Sequence, residues 1–250
     1  MPDPSGVQAL LAARRGGPAP TAPQLADAAE AYAWQDAVAR AAGWFSAGAP
    51  RYWKSGGASR QGLQTHAALP PAGVWVHPAD AARWPFRLRG IEAEIALRLG
   101  RPVDAALAAT LDVVAASQLI DAMCVSIEVV DSRWAEGRDA PALAKLADLQ
   151  SHGALVLGDW LPFEARDWTA QRCTVQIGDA APLTFTGSHS MADPAWVLPA
   201  WLRHATRQGD AVLEAGTLVS TGTWCGLLVA QPGQAVTVVF DGIGEARLQL

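Results

Sequence analysis

Lysine, cysteine and tyrosine are all scarce in this chain of 250 residues. The three cysteines, Cys124, Cys173 and Cys225, are widely spaced and form no C-x-x-C pair, which argues against both a disulfide framework and a zinc ribbon. No apolar run approaches the ~18 residues of a membrane-spanning helix. The N-terminal stretch places its basic pair, Arg14-Arg15, after a short apolar segment, the reverse of a secretory leader. A cytoplasmic location is therefore the expectation. Charged residues are also few, at 17% against 50% hydrophobic, which favours a packed core over disorder. The net charge of −5 argues against a nucleic-acid partner. Lysine is the most pointed shortage: of 19 basic residues only Lys54 and Lys145 are lysines. Arginine serves wherever a fixed charge suffices, but a group that must release a proton has to be lysine.

What is present divides into a helical N-terminal section, residues 1–60, and a β-rich remainder, residues 61–250. Thr21 before Pro23 predicts a helix start, and Leu25, Ala28, Tyr32, Gln35 and Val38 trace a helical stripe toward Ala42. The Ala-rich stretch from Ala105 to Ala122 predicts a helix, as do Pro141 to Asp148 and the amphipathic run from Pro194 to Gln208. Strands are expected at 153–158, 172–177, 217–221, 226–230, 235–240 and 245–250.

Two strands carry the chemistry. From Ile91 to Leu99 the chain alternates strictly, with Ile91, Ala93, Ile95, Leu97 and Leu99 on one side and Glu92, Glu94 and Arg98 on the other. Carboxylates at i and i+2 have stems roughly 6.5 Å apart, close enough to converge on one cation, although a half-exposed strand shows the same alternation. Glu128 sits inside the apolar run Val125 to Val130, where an ionised carboxylate is costly unless a cation or hydrogen-bond donors meet it. Three carboxylates suit a hard divalent ion such as Mg²⁺.

Several ordered motifs resemble the 2-keto-4-pentenoate hydratases of the fumarylacetoacetate hydrolase superfamily. They are Tyr32-x-x-Gln35, Trp53-Lys54-x-Gly56, Glu92-x-Glu94, Ile127 to Arg133, Val156 to Gly158 and Gly216 to Thr223. The resemblance implies an α+β, mixed β-roll fold, a bound Mg²⁺ or Mn²⁺ on Glu92, Glu94 and Glu128, and assembly into dimers or larger homo-oligomers. It implies a lyase that hydrates a 2-hydroxy-2,4-dienoate to a 4-hydroxy-2-oxo acid, as in aromatic catabolism. A 2-oxo-acid decarboxylase of the 4-oxalocrotonate type is the alternative, followed by a non-hydratase relative that keeps metal and 2-oxo-acid binding. A hydrolase is disfavoured because the sequence offers no evident His–Glu pair.

By the same resemblance Lys54 is the acid/base group or meets the substrate carboxylate, its pKa expected to be depressed by burial and a nearby ion. Thr223 matches a substrate-binding position, or closes an ordinary turn. Arg133 anchors the loop beside the carboxylates. The hydratases' Asp is missing, since the matching stretch reads Pro70-Pro71-Ala72-Gly73. His66, a few residues upstream, is the expected substitute for proton transfer. His77, His152, His189 and His204 lack ligand-like spacing and are read as surface or structural, with His189 a possible mouth residue. Trp53, Trp134 and Trp224 are expected to wall an apolar pocket.

Overall fold

The computed structural model describes residues 2–46, 48–207 and 211–250. Two N-terminal helices, α1 (Pro4–Arg14) and α2 (Ala28–Ala42), precede β1 (Tyr52–Gly56), β2 (Thr65–Ala68), β3 (Val74–Val76), β4 (Ala79–Asp80) and β5 (Gly90–Leu99). Short helices α3 (Ala105–Thr110) and α4 (Val113–Ser117) lead to β6 (Ile120–Val130). Then follow α5 (Ala142–Ala147), β7 (His152–Leu157), β8 (Leu161–Pro162), β9 (Arg172–Ile177) and β10 (Leu183–Thr186). The chain ends with α6 (Leu198–Ala205), β11 (Leu218–Ser220), β12 (Leu228–Val229), β13 (Ala235–Phe240) and β14 (Gly244–Gln249).

Local chemistry explains the boundaries. Asp27, not Thr21, caps α2 by accepting the Glu30 N–H at 2.9 Å, so the helix starts later than Thr21 suggests. The helix expected from Ala105 to Ala122 breaks after Thr110. Asp112 accepts the Ala115 N–H and caps a new helix, and pairing with β5 draws Ile120 onward into β6. The amphipathic run near the C-terminus is a 3₁₀ turn at Pro194–Val197 followed by α6, and Gln208 lies outside the described residues.

A nine-stranded mixed sheet runs β2-β1-β11-β5-β6-β7-β3, with β12 on β5 and β8 on β6. A second sheet runs β10-β9-β13-β14-β4. The odd-numbered residues of β5 and the facing Val125, Ile127 and Val129 of β6 are fully buried in one cluster with Val175, Val236, Val238, Phe240 and Leu248 of the second sheet. The sheets approach so closely that a Cβ on Gly158 would lie 2.4 Å from the Glu245 carbonyl oxygen. Helix α6 covers the same face at β1, packing Leu198, Trp201 and Leu202 around Trp53.

The opposite face of the large sheet holds the even-numbered residues of β5. Part of it is apolar, with Ala67, Leu69, Ala96, Cys124, Leu155 and Leu157 in a smaller cluster. Helices α1, α2 and α5 form a third cluster around Trp34 and Trp134. The Tyr32 and Gln35 motif on α2 serves this assembly: the Tyr32 hydroxyl accepts the His66 N–H at 3.2 Å. Gln35 donates to the carbonyls of His66 and Leu146 at 3.2 and 2.7 Å.

Candidate metal centre

Strand register alone gathers the charged residues. Glu92 stands opposite Glu128, and Glu94 opposite Ser126. Across the other edge of β5, Ser220 of β11 pairs with Ala96, and Lys54 of β1 pairs with Ser220. With a side-chain period of two, all of these project from one face. One oxygen from each of Glu92, Glu94 and Glu128 lies within 4.8 Å of the others.

Each carboxylate has a distinct environment. Glu94 Oε2 accepts the Ser220 hydroxyl at 2.5 Å and the Gly222 N–H at 3.0 Å, and Ser220 also meets Ser126 at 3.0 Å. Gly222 has φ +102°, a conformation that favours glycine. Glu128 Oε1 accepts the Lys54 ammonium and lies 3.2 Å from His152 Nδ1. Glu128 Oε2 is buried with no hydrogen-bond partner. Burial followed by repulsion from Glu128 and Glu94 pushes Glu92 up to about 8. Burial likewise raises Glu94 and Glu128, with Lys54 opposing in both. Three carboxylates that resist ionising together, Glu94 and Glu128 buried and Glu92 partly so, one with an unpartnered oxygen, fit an all-oxygen site for a hard divalent cation.

Lys54 departs from expectation in its electrostatics. Burial pulls its pKa down, but Glu128, Glu92 and Glu94 together outweigh burial and hold it above the ordinary lysine value. Its Nζ also donates to the Gln150 carbonyl at 3.2 Å. That carbonyl is aimed by an unusual segment: Leu149, Gln150 and Ser151 have φ of 53°, 55° and 59°, left-handed backbone without a glycine. The segment is held from both ends, the Ser151 carbonyl accepting the Asp131 N–H at 2.8 Å. Asp148 before it is locked by Arg14 at 2.7 Å and by Arg133, whose backbone and side chain both donate to it. Arg133 also lies 3.5 Å from Asp131, so it anchors this loop through carboxylates.

His66 is not brought to the carboxylates. It pairs with Ser55 across β1 and β2, one residue out of phase with Lys54, and so lies on the opposite face. Its Nδ1 meets the Ser55 hydroxyl at 2.8 Å and its ring packs on His204 at 4.7 Å. Burial, then Arg207 and Arg203, push its pKa down to about 3. Thr223 turns its hydroxyl into its own turn, donating to the Gly226 carbonyl at 2.9 Å and accepting the Cys225 N–H at 3.2 Å.

The three tryptophans do not wall a common pocket beside the carboxylates. Trp53 packs on Trp201, Trp134 on Trp34, and Trp224 between Trp168 and Phe240 in the core. His189 is buried, and its Nε2 donates to the Thr221 carbonyl at 2.8 Å, supporting the strand end that carries Gly222. A cavity of about 540 Å³ lies behind β1 between Gln35, Trp53, Leu149 and His204, and the carboxylates do not line it.

His152 is the residue that spacing did not reveal. The expectation that the chain lacks a His–Glu pair is overturned by its contact with Glu128. The imidazole is fully buried, and burial holds its pKa well below the ordinary value. Its Nε2 has no partner and faces Gly73, where a Cβ would lie 3.7 Å away. A ring so enclosed offers no nitrogen to a hydrolytic water.

A model of the fumarylacetoacetate hydrolase C-terminal family matches residues 61–250, and the chain belongs to that family. This is coarser than the hydratase family that the motifs resemble. No curated protein matches the chain. Among solved structures, 4-oxalocrotonate decarboxylase from Pseudomonas putida G7, complexed with magnesium and adipate, is 18% identical with a TM-score of 0.80. The match covers 100% of this chain and 98% of that one, and the same enzyme complexed with calcium and acetate gives equal values. Fumarylpyruvate hydrolase from Pseudomonas aeruginosa, in complex with Mn²⁺ and pyruvate, is 14% identical with a TM-score of 0.54, covering 81% of this chain and 89% of that one. The shared α+β fold is what these likenesses establish. No described helix is long and apolar enough to cross a membrane.

Proposed function

We propose that this protein is a divalent-metal-dependent lyase acting on a short 2-oxo acid through an enolate, with Glu92, Glu94 and Glu128 as the ion's ligands. The observation that carries this reading is Lys54, one of two lysines in the chain, seated on Glu128 inside the carboxylate trio. A Mg²⁺ or Mn²⁺ ion held there supplies Lewis-acid stabilisation of negative charge on the substrate's 2-oxygen. Glu94 is fixed by Ser220 and Gly222, so its carboxylate needs no reorganisation. Lys54 holds the mobile proton. Once the trio's charge is met, its hold on that proton weakens, and Lys54 can deliver it to substrate carbon.

Of the two lyase reactions, decarboxylation of a 2-oxo diacid makes the smaller demand on these side chains. Loss of CO₂ leaves its bonding electrons in a dienolate, which needs one proton, and Lys54 can give it. Hydration of a 2-hydroxy-2,4-dienoate additionally requires a water to be directed at the conjugated carbon. His66 faces away from the trio, and the Pro70–Gly73 stretch brings no carboxylate to that task. The overlap with the decarboxylase along the whole chain supports the same preference. Hydration is the second reading, favoured by the motif order from Tyr32 to Thr223. In that reading Thr223 serves the substrate carboxylate only after its turn opens.

The test uses metal-stripped protein given Mg²⁺ or Mn²⁺, with 2-oxohex-3-enedioate and 2-hydroxypenta-2,4-dienoate as separate substrates. Metal-dependent CO₂ release from the first supports decarboxylation. Conversion of the second to a 4-hydroxy-2-oxo acid supports hydration, and inertness toward both rejects the lyase reading. Assembly into a homo-oligomer belongs to this proposal and is checked by light scattering.

A further inference from the structure

Glu128 is held asymmetrically. The Lys54 ammonium donates to Oε1 and His152 Nδ1 lies 3.2 Å from the same oxygen, while Oε2 is buried with no partner. The two groups differ in stiffness. Lys54 reaches the trio from β1, across β11 and β5, on a long flexible stem. His152 opens β7, directly beside β6, with its ring entirely enclosed. It stands opposite Val130 at a register shift in the β6–β7 pairing, which brings its ring level with Glu128 although Leu155 is the in-register partner of Glu128.

Lys54 cannot both hold Glu128 and deliver a proton to a substrate. When it moves, a carboxylate anchored by Lys54 alone would be free to rotate. We infer that His152 is a positioning residue: its Nδ1–H keeps Glu128 Oε1 fixed so that Oε2 stays directed at the ion while Lys54 serves the substrate. This rests on the reading of the trio as a divalent-metal site. Partners that orient a metal-binding side chain are commonly worth about 10- to 100-fold in metal affinity, and an effect of that size is expected here.

The experiment is calorimetric titration of Mn²⁺ into metal-stripped full-length protein, for the unmodified chain, His152→Leu and His152→Asn. Leucine fills similar space without a donor, whereas the asparagine amide nitrogen can occupy the Nδ1 position. His152→Leu is expected to weaken Mn²⁺ binding about 10- to 100-fold, and His152→Asn to restore most of the loss. A folded His152→Leu protein with unchanged affinity overturns the inference while leaving the metal site standing. Absence of Mn²⁺ binding by the unmodified chain overturns the metal reading, and the inference with it. Should His152→Leu fail to fold, ¹⁵N-imidazole spectra of the unmodified protein decide the matter. A proton on Nδ1 supports the inference, and a neutral ring protonated only on Nε2 rejects it.

Discussion

Strand β1 has two faces, and adjacent residues on it live in opposite electrostatic worlds. Lys54 points toward three carboxylates, and its pKa is raised in spite of burial. On the other face lie Trp53 and Ser55, with His66 beside Ser55 and His204 packed on His66. There burial leads, followed by Arg207 and Arg203 at His66 and by His66 and then Arg207 at His204, and both imidazoles are pushed down to about 3. Burial favours the neutral form of a base on both faces. Only the carboxylates contributed by β5 and β6 reverse it for Lys54. One face is built to hold charge and the other to exclude it.

The sharpest way to break this contrast is to exchange its two principals. Lys54→Met is expected to lower kcat by about 10²–10⁴-fold while Mn²⁺ affinity is kept or improves, because a cation beside the ion is removed. His66→Gln is expected to leave kcat close to that of the unmodified enzyme. Steady-state kinetics with calorimetry measure both. Equal losses of kcat in the two variants would mean that the faces do not divide the chemistry as described.

A second test reads the charged face through pH. Glu92 keeps its proton up to about 8, whereas in the unfolded chain it ionises near ~4.3. Its contribution to stability is therefore complete below that lower value and is lost as pH rises through about 8. The melting temperature of metal-free protein should fall across this window, and added Mg²⁺ should reverse the fall. A flat profile without metal would contradict the crowding of the carboxylates.

The apolar face predicts the opposite sign. His66 and His204 have pKa values lowered to about 3, against ~6.5 when unfolded. Their contribution is present above the unfolded value and is lost as pH falls toward about 3. Acid unfolding of His204→Phe, followed by circular dichroism, should move to lower pH. This is the smallest of the three effects, because only one of the two imidazoles is removed.

Some of this arrangement could be read locally. The alternation at Ile91–Leu99 and the isolation of Glu128 among apolar residues are properties of single strands, since side-chain direction repeats every two residues. The placement of Lys54 was less legible. A residue on β1 meets a carboxylate on β6 across two intervening strands, β11 and β5, whose pairing register puts both side chains on one face. His66 misled for the same reason: it is close to Lys54 in sequence, yet pairing with Ser55 turns it to the other face. The left-handed run Leu149–Ser151 carries no glycine or asparagine to announce it.

By itself, then, the sequence determined the two strands that carry the carboxylates, the alternation of their residues, and that Glu92 and Glu94 share a side. Those follow from backbone period and from the cost of burying charge. Tertiary structure decided which face each strand presents to its neighbours, and so which cation meets which carboxylate. A shift of one residue in register would have exchanged Lys54 for Ser55 at the site, and no local pattern distinguishes the two outcomes. His152 shows the limit most plainly: its contact with Glu128 depends on a register irregularity in the β6–β7 pair, which only the assembled sheet contains.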